Sequence, residues 1–262
     1  MNTLEQDQVR DAVRNQYGRV AEGQSNSCTT SCCGSAEPTT VSSALGYSDA
    51  ELAAVPDGAN LGLGCGNPQA IAALQAGETV LDLGSGGGFD CLLAARQVGA
   101  DGRVIGVDMT PAMISRARAN AAKSGASNVE FRLGEIEHLP VADASIDVII
   151  SNCVINLSPD KAQVFAEAFR VLRPGGRLAI ADVVAFAELP SAIREDMALL
   201  TGCIAGAAQI GELETMLADS GFTAIDIRPR DESRRFMPAW APGVPITDYV
   251  ISASIEAVRP AA

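Results

Sequence analysis

Twelve residues, Thr79 to Asp90 (TVLDLGSGGGFD), constrain this chain more than any others. Thr79–Leu83 has the length and apolar content of a short buried strand. Gly84-Ser85-Gly86-Gly87-Gly88 interrupts it, and Phe89 to Val98 then has the pattern of a helix. A strand that stops on glycines and turns straight into a helix lets a ligand lie against bare backbone at a helix N-terminus. A dinucleotide fingerprint requires G-x-G-x-x-G, and Phe89 occupies the place of its third glycine. The loop is therefore not a clean nicotinamide or flavin signature. Taken alone, it also fits a tight turn that binds nothing.

The same grammar repeats downstream. Strands are predicted over Arg103–Asp108, Asn128–Leu133, Ile146–Ser151 and Arg177–Val183. Helices are predicted from Pro111 to Ser124 and from Pro159 to Leu172, the second closed by Arg173-Pro174-Gly175-Gly176. Pro190 to Leu217 is mainly helical with a break at Gly202–Gly206, and two late strands follow, Phe222–Ile227 and Tyr249–Ile255. Alternating strands and helices of this length predict an α/β fold with a doubly wound, mostly parallel sheet. Ahead of it lie a helix over residues 1–20, with Val9, Val13 and Tyr17 on one face, and a Ser/Thr/Gly-rich loop over Ala21–Thr40 that carries Cys28, Cys32 and Cys33. A short helix capped by Ser48, a glycine-dense loop from Leu61 to Pro68 and a helix from Pro68 to Leu74 complete this part. The chain divides into a leader and substrate cap (1–70), a Rossmann-like core (71–186), and a helical insert with the last two strands (187–262).

Ligands of such sheets lie outside the carboxyl ends of the strands, where the connections reverse direction. The candidates there are Asp82, Gly84, Ser85, Gly86 and Gly88 around the first strand, and Asp108 and Met109 after the second. Glu135 and Ile136 follow the third strand and Asn152 the fourth. An acid at Asp108 can accept both hydroxyls of a ribose, which suits any adenosine ligand. Asp82, the glycine loop, Asp108-Met109 and Leu172-Arg173-Pro174-Gly175-Gly176 ahead of a strand together resemble the class I S-adenosylmethionine-dependent methyltransferases, from about Ile71 to Ile255. The resemblance implies a Rossmann-like sheet of seven strands, the last antiparallel, and S-adenosylmethionine at the switch point.

Charge and cysteine content narrow the acceptor. Lys and Arg total 19 against 32 Asp and Glu, a net charge of −13, which excludes nucleic acid or an anionic membrane as the main partner. The N-terminus lacks a signal pattern, and the longest largely apolar uncharged run, Met197 to Ile210, is too short to span a bilayer, so a cytoplasmic protein is expected. Seven cysteines in a reducing compartment are not a disulfide framework. Cys91, among Leu92, Leu93 and Ala94, suits core packing. Cys65 between two glycines, Cys153 at the end of the fourth strand and Cys203 in the late insert can all reach one crevice. Three thiolates select a soft centre. Zinc usually takes a fourth ligand, but there is no CxxC pair, and the single histidine, His138, lies in a polar loop. A trivalent metalloid fits better, because three sulfurs complete its pyramid and leave a nucleophilic lone pair.

Asn60–Pro68 (NLGLGCGNP), Ser151–Leu157 (SNCVINL), Cys203–Ala207 (CIAGA), Val13–Gly18 (VRNQYG) and the Cys32-Cys33 pair resemble the arsenite methyltransferases over nearly the whole chain. The resemblance implies that Cys65, Cys153 and Cys203 handle As(III) and that Cys32 or Cys33 pairs with Cys65 during reduction. Cys28 has no clear role. It further implies methylation of arsenite and methylarsenite in arsenic detoxification, with thioredoxin or glutathione restoring the thiols. A monomer is expected. Two rival readings are a methyltransferase for a quinone-like or other small organic molecule with incidental cysteines, and a non-catalytic thiolate protein that sequesters metalloid.

Overall fold

The computed structural model describes residues 3–23 and 37–261. Its strands are β1 (Thr79–Leu83), β2 (Arg103–Asp108), β3 (Val129–Leu133), β4 (Ile146–Asn152), β5 (Leu172–Ala185), β6 (Thr223–Pro229) and β7 (Val250–Val258). The helices are α1 (Thr3–Ala21), α2 (Pro38–Ala44), α3 (Asp49–Ala53), α4 (Gln69–Ala72), α5 (Phe89–Val98), α6 (Pro111–Ser124), α7 (Lys161–Val171), α8 (Ser191–Arg194), α9 (Met197–Thr201) and α10 (Ile210–Asp219).

The strands form one sheet in the order β3-β2-β1-β4-β5-β7-β6. β3, β2, β1, β4 and β5 pair in parallel, and β7 runs antiparallel between β5 and β6. This matches the doubly wound sheet with an antiparallel last strand. The chain winds outward from β1 to β3, then returns to place β4 on the other side of β1. That reversal opens the crevice at the carboxyl ends of β1 and β4. Helices cover both faces, so apolar residues of the central strands are buried on both sides rather than alternating: Val80, Leu81, Leu83, Val148, Ile149 and Ile150 are all fully buried.

Three segments depart from the sequence expectation. Arg173–Gly176 does not simply close α7; it forms an irregularity inside β5, between the pairs Ile146↔Leu172 and Val148↔Arg177. Gly175 supplies the turn at φ +83°, and a Cβ on Gly176 would lie 3.0 Å from the Asp147 carbonyl oxygen. The loop expected to run to Thr40 gives way to α2 at Pro38, which takes the first helical turn. The helical insert is three short helices, because Gly202 ends α9 and a further stretch intervenes before α10.

α1 lies across the crevice, contacting α6 and α9. Its Val9 and Val13 join one apolar cluster with Cys65, Cys153, Cys203, Ile204 and Trp240. Among the described residues no helix is long and apolar enough to cross a membrane.

Candidate active site

The glycine loop meets β2 through two backbone bonds, Gly84 and Ser85 N–H to the Val107 carbonyl at 2.8 and 3.0 Å. Gly84, Gly86 and Gly88 have φ of +68°, +50° and +87°, a region that suits glycine. No atom outside the loop lies within 4 Å of where a Gly86 Cβ would sit, so this backbone faces open space. Asp108 anchors the opposite side. Its Oδ2 accepts Gly86 N–H at 3.0 Å and its Oδ1 accepts Thr110 N–H at 2.8 Å. Burial raises the Asp108 carboxyl above its ordinary range, against these hydrogen bonds.

The cleft between them opens to solvent. Asp82, Gly84, Ser85, Gly86, Asp108, Met109, Ile136 and Asn152 of the expected set line it. Gly88 does not; it starts α5, and its Cβ position lies 2.9 Å from the Phe131 ring, so packing is its role. Glu135 does not line it either. It is drawn aside by Arg10 (3.5 Å) and Arg14 (3.3 Å), and Glu137 takes a place in the wall. Among the described residues the buried Ser85 hydroxyl has no hydrogen-bond partner, and it faces the cleft. An orphaned hydroxyl, bare glycine backbone and an acid at the second strand end fit an adenosine-bearing methyl donor.

Beneath the donor side, Asp82 and Asp90 are buried near each other. Burial, then the Asp90 charge, pushes the Asp82 carboxyl well up, while Cys91 donates to its Oδ2 at 3.2 Å. Asp90 Oδ1 accepts from the Tyr47 hydroxyl at 2.7 Å. Asn152 joins this side to the thiols. Its Nδ2 donates to the Gly66 carbonyl at 2.9 Å, and its Oδ1 accepts Cys65 N–H at 3.0 Å.

Cys65, Cys153 and Cys203 are 1%, 7% and 2% exposed and lie in one apolar cluster. The glycines beside Cys65 allow that approach: a Cβ on Gly64 would lie 2.6 Å from Asn152 Nδ2, and one on Gly66 2.7 Å from Ala181 Cβ. Ser252 Oγ donates to the Cys65 carbonyl at 2.7 Å. Cys153 and Cys203 both have left-handed backbone, at φ +60° and +62°. Such strain in non-glycine residues concentrates at functional sites. Asn156 Nδ2 donates to the Cys203 carbonyl at 3.2 Å and to Asp182 Oδ1 at 3.0 Å, and Asp182 Oδ2 accepts Ile155 N–H at 2.9 Å.

Burial pushes the Cys65 thiol up to about 11. The Cys153 thiol is lowered by Cys203 but raised further by Cys65 and by burial, ending well above its ordinary value. Burial raises Asp182 to about 6, against hydrogen bonds and the Lys161 charge. The Cys65 and Cys153 thiols are thus held protonated and give up their protons when a thiophilic centre binds. Cys153 lines the donor cleft and also a small gap bounded by Tyr17, Leu63, Gly64, Gly202, Cys203 and Trp240.

Cys28, Cys32 and Cys33 lie outside the described residues. Cys91 is fully buried in the core, and His138 is exposed. The sequence reading missed Tyr47, Asp90, Asn156 and Asp182. Asp182 carried a usable signal: it is an acid near the carboxyl end of a strand, as Asp108 is.

A methyltransferase-domain family model matches residues 74–221. An arsenite methyltransferase from Halobacterium salinarum is 52% identical over 97% of this chain and 68% of its own length. One from Aquipseudomonas alcaligenes is 42% identical over 82% of this chain and 62% of its own. The crystal structure of an arsenic(III) S-adenosylmethionine methyltransferase from Chlamydomonas reinhardtii superposes with a TM-score of 0.61 at 37% identity, covering 86% of this chain and 74% of that one. The chain thus spans about two thirds of the length of the curated relatives it matches. It carries the methyltransferase domain and belongs to the arsenite methyltransferase family.

Proposed function

We propose that this chain methylates trivalent arsenic, with S-adenosylmethionine as the donor. The observation that carries the reading is Cys153, a wall residue of the donor cleft that also packs against Cys65 and Cys203. Ser85, the glycine backbone and Asp108 would hold the donor, and Ile136 would pack against its adenine. When bound, the donor supplies an electrophilic sulfonium methyl group.

Cys153 and Cys203, joined in part of the cycle by Cys65, hold As(III) with its lone pair directed across the shared wall. Holding nucleophile and methyl carbon in near-attack geometry, with water excluded, is the main catalytic task. No general base is required. The thiols lose their protons on coordination, and arsenic brings its own electron pair. The arsenic lone pair becomes the new As–C bond, S-adenosylhomocysteine leaves, and arsenic is formally pentavalent. Two protein thiols then supply two electrons, forming a disulfide and returning arsenic to the trivalent state. Cys65 and either Cys32 or Cys33 are the proposed pair, with a thioredoxin-type or glutathione reductant restoring them. The 1–70 segment acts as the cap, since Arg10, Val13 and Tyr17 of α1 line the cleft.

The test is incubation with arsenite, S-adenosylmethionine and a thiol, followed by arsenic speciation. Methylated arsenic is expected from the parent chain and none from Cys153→Ser or Cys203→Ser. Undiminished methylation by either variant would sink the assignment. Asp108→Ala should lose donor affinity by tenfold or more, about 1.4 kcal/mol, yet retain arsenite binding.

A further inference from the structure

We propose that the thiol cluster also binds a thiophilic divalent cation of the zinc or cadmium class, with Asp182 as an oxygen ligand, and that this ion competes with the metalloid. The competition rests on the metalloid reading of the site; the cation site itself does not.

The ligand atoms of Cys65, Cys153 and Asp182 lie within 4.8 Å of one another. A zinc-class ion bonds sulfur at ~2.3 Å and carboxylate oxygen at ~2.0–2.2 Å in a tetrahedral array, so this triangle closes on it with small side-chain rotations. Trivalent arsenic calls on three sulfurs, whereas the mutually close set here contains two sulfurs and a carboxylate.

The surroundings of the triangle are those of a built site. Asp182 is held by Ile155 N–H at 2.9 Å, Val183 N–H at 2.8 Å and Asn156 Nδ2 at 3.0 Å. Cys65 is fixed through its backbone by Asn152 and Ser252. Outer partners of this kind orient ligands and stiffen a metal site. Two thiolates and a carboxylate around a divalent ion leave one net negative charge. Lys161, whose charge acts on Asp182 and Cys203, offsets it. Binding releases the two thiol protons to solvent.

The test uses the full-length chain with Cys28, Cys32 and Cys33 replaced by serine, reduced and stripped with a chelator. Zn²⁺ or Cd²⁺ alone is titrated in, and X-ray absorption then reads the shell. One ion per chain, with two or three sulfurs and at least one oxygen, is expected. Asp182→Ala should weaken cation binding tenfold or more, and by a clearly larger factor than it weakens arsenite binding. Asp182→Asn, similar in volume, replaces it if the alanine variant does not fold. An all-sulfur shell, the absence of a bound ion, or equal loss of cation and arsenite binding would overturn the proposal. A chain that binds the cation in the mixed shell but not arsenite supports the cation site and overturns the methylation reading instead.

Discussion

The Cys203 thiol donates to the carbonyl oxygen of Cys153 at 2.7 Å, and both residues hold left-handed backbone, at φ +62° and +60°. A side chain in that region costs roughly 1–2 kcal/mol per residue. Cys203→Gly would relieve that cost while losing a small buried side chain, so its unfolding free energy should stay within about 1 kcal/mol of the parent. Cys203→Val puts a β-branched residue in a conformation it avoids and should lose about 3 kcal/mol or more. Trp240 packs beside Cys153 and Cys203, so arsenite should change its fluorescence in the parent chain and not in either variant, and urea titration gives the stabilities. Equal stabilities for the two variants would contradict strain at this position.

Two glycines separate the halves of the site experimentally. At Gly86 an added Cβ meets no atom within 4 Å and projects from an open loop at φ +50°. Gly86→Ala should therefore lower S-adenosylhomocysteine affinity by about tenfold, ~1.4 kcal/mol, and spare arsenite binding. At Gly64 the Cβ would strike Asn152, which is pinned by Cys65 N–H and the Gly66 carbonyl and cannot swing away. Gly64→Ala should cost about 1–3 kcal/mol of stability and weaken both ligands together. Isothermal titration with each ligand separates the two patterns.

The strands and the cysteine cluster were legible for the same reason: both are written in short, contiguous patterns. Val80, Leu81 and Leu83, broken only by the site residue Asp82, and Val148–Ile150 are apolar because helices cover both faces of the sheet, and Cys65 is framed by two glycines that permit close approach. The rest depended on distance in the chain. Asn152 touches Cys65 from 87 residues away, and Asn156 reaches Cys203 across 47. The Glu135 carboxylate has the residue type and strand-end position of a ligand contact, but the Arg10 and Arg14 side chains of α1, more than a hundred residues earlier, decide where it points.

That same contact makes α1 a testable cap. Arg10 reaches Glu137 at 3.4 Å as well as Glu135, and Glu137 is only 3% exposed, with Ser158 Oγ at 2.8 Å as its other partner. Arg10→Ala strips the buried carboxylate of its cation, a loss of about 1–3 kcal/mol. Tyr17, whose hydroxyl donates to the Thr201 carbonyl at 3.2 Å, then holds α1 with less support. Arg10→Ala should raise the donor KM severalfold and speed proteolysis within α1, whereas Glu135→Gln, more exposed, should do so weakly. A donor KM unchanged by Arg10→Ala would show that α1 does not close the cleft.

The buried carboxylates Asp82 and Asp90 contribute, with Asp108 and Asp182, to the pH dependence of the donor-free chain. Burial raises both, and for Asp82 the Asp90 charge adds to it. A carboxyl raised in the folded state keeps its proton to higher pH than in the unfolded chain, where it titrates near ~3.9. Its contribution is complete below that value and is lost as pH rises through the folded one. Unfolding free energy should therefore fall as pH rises above ~3.9, by up to about 1.4 kcal/mol per pH unit for each proton retained. Asp82→Asn should flatten the fall and gain stability at pH 7, since it removes a charge that the fold holds at a cost. It should also weaken S-adenosylmethionine binding, because Asp82 lines the donor cleft. Urea titrations of the parent chain and the variant upward from about pH 4 decide it, and a parent chain whose stability is flat or rising there would be incompatible with carboxyls raised by burial.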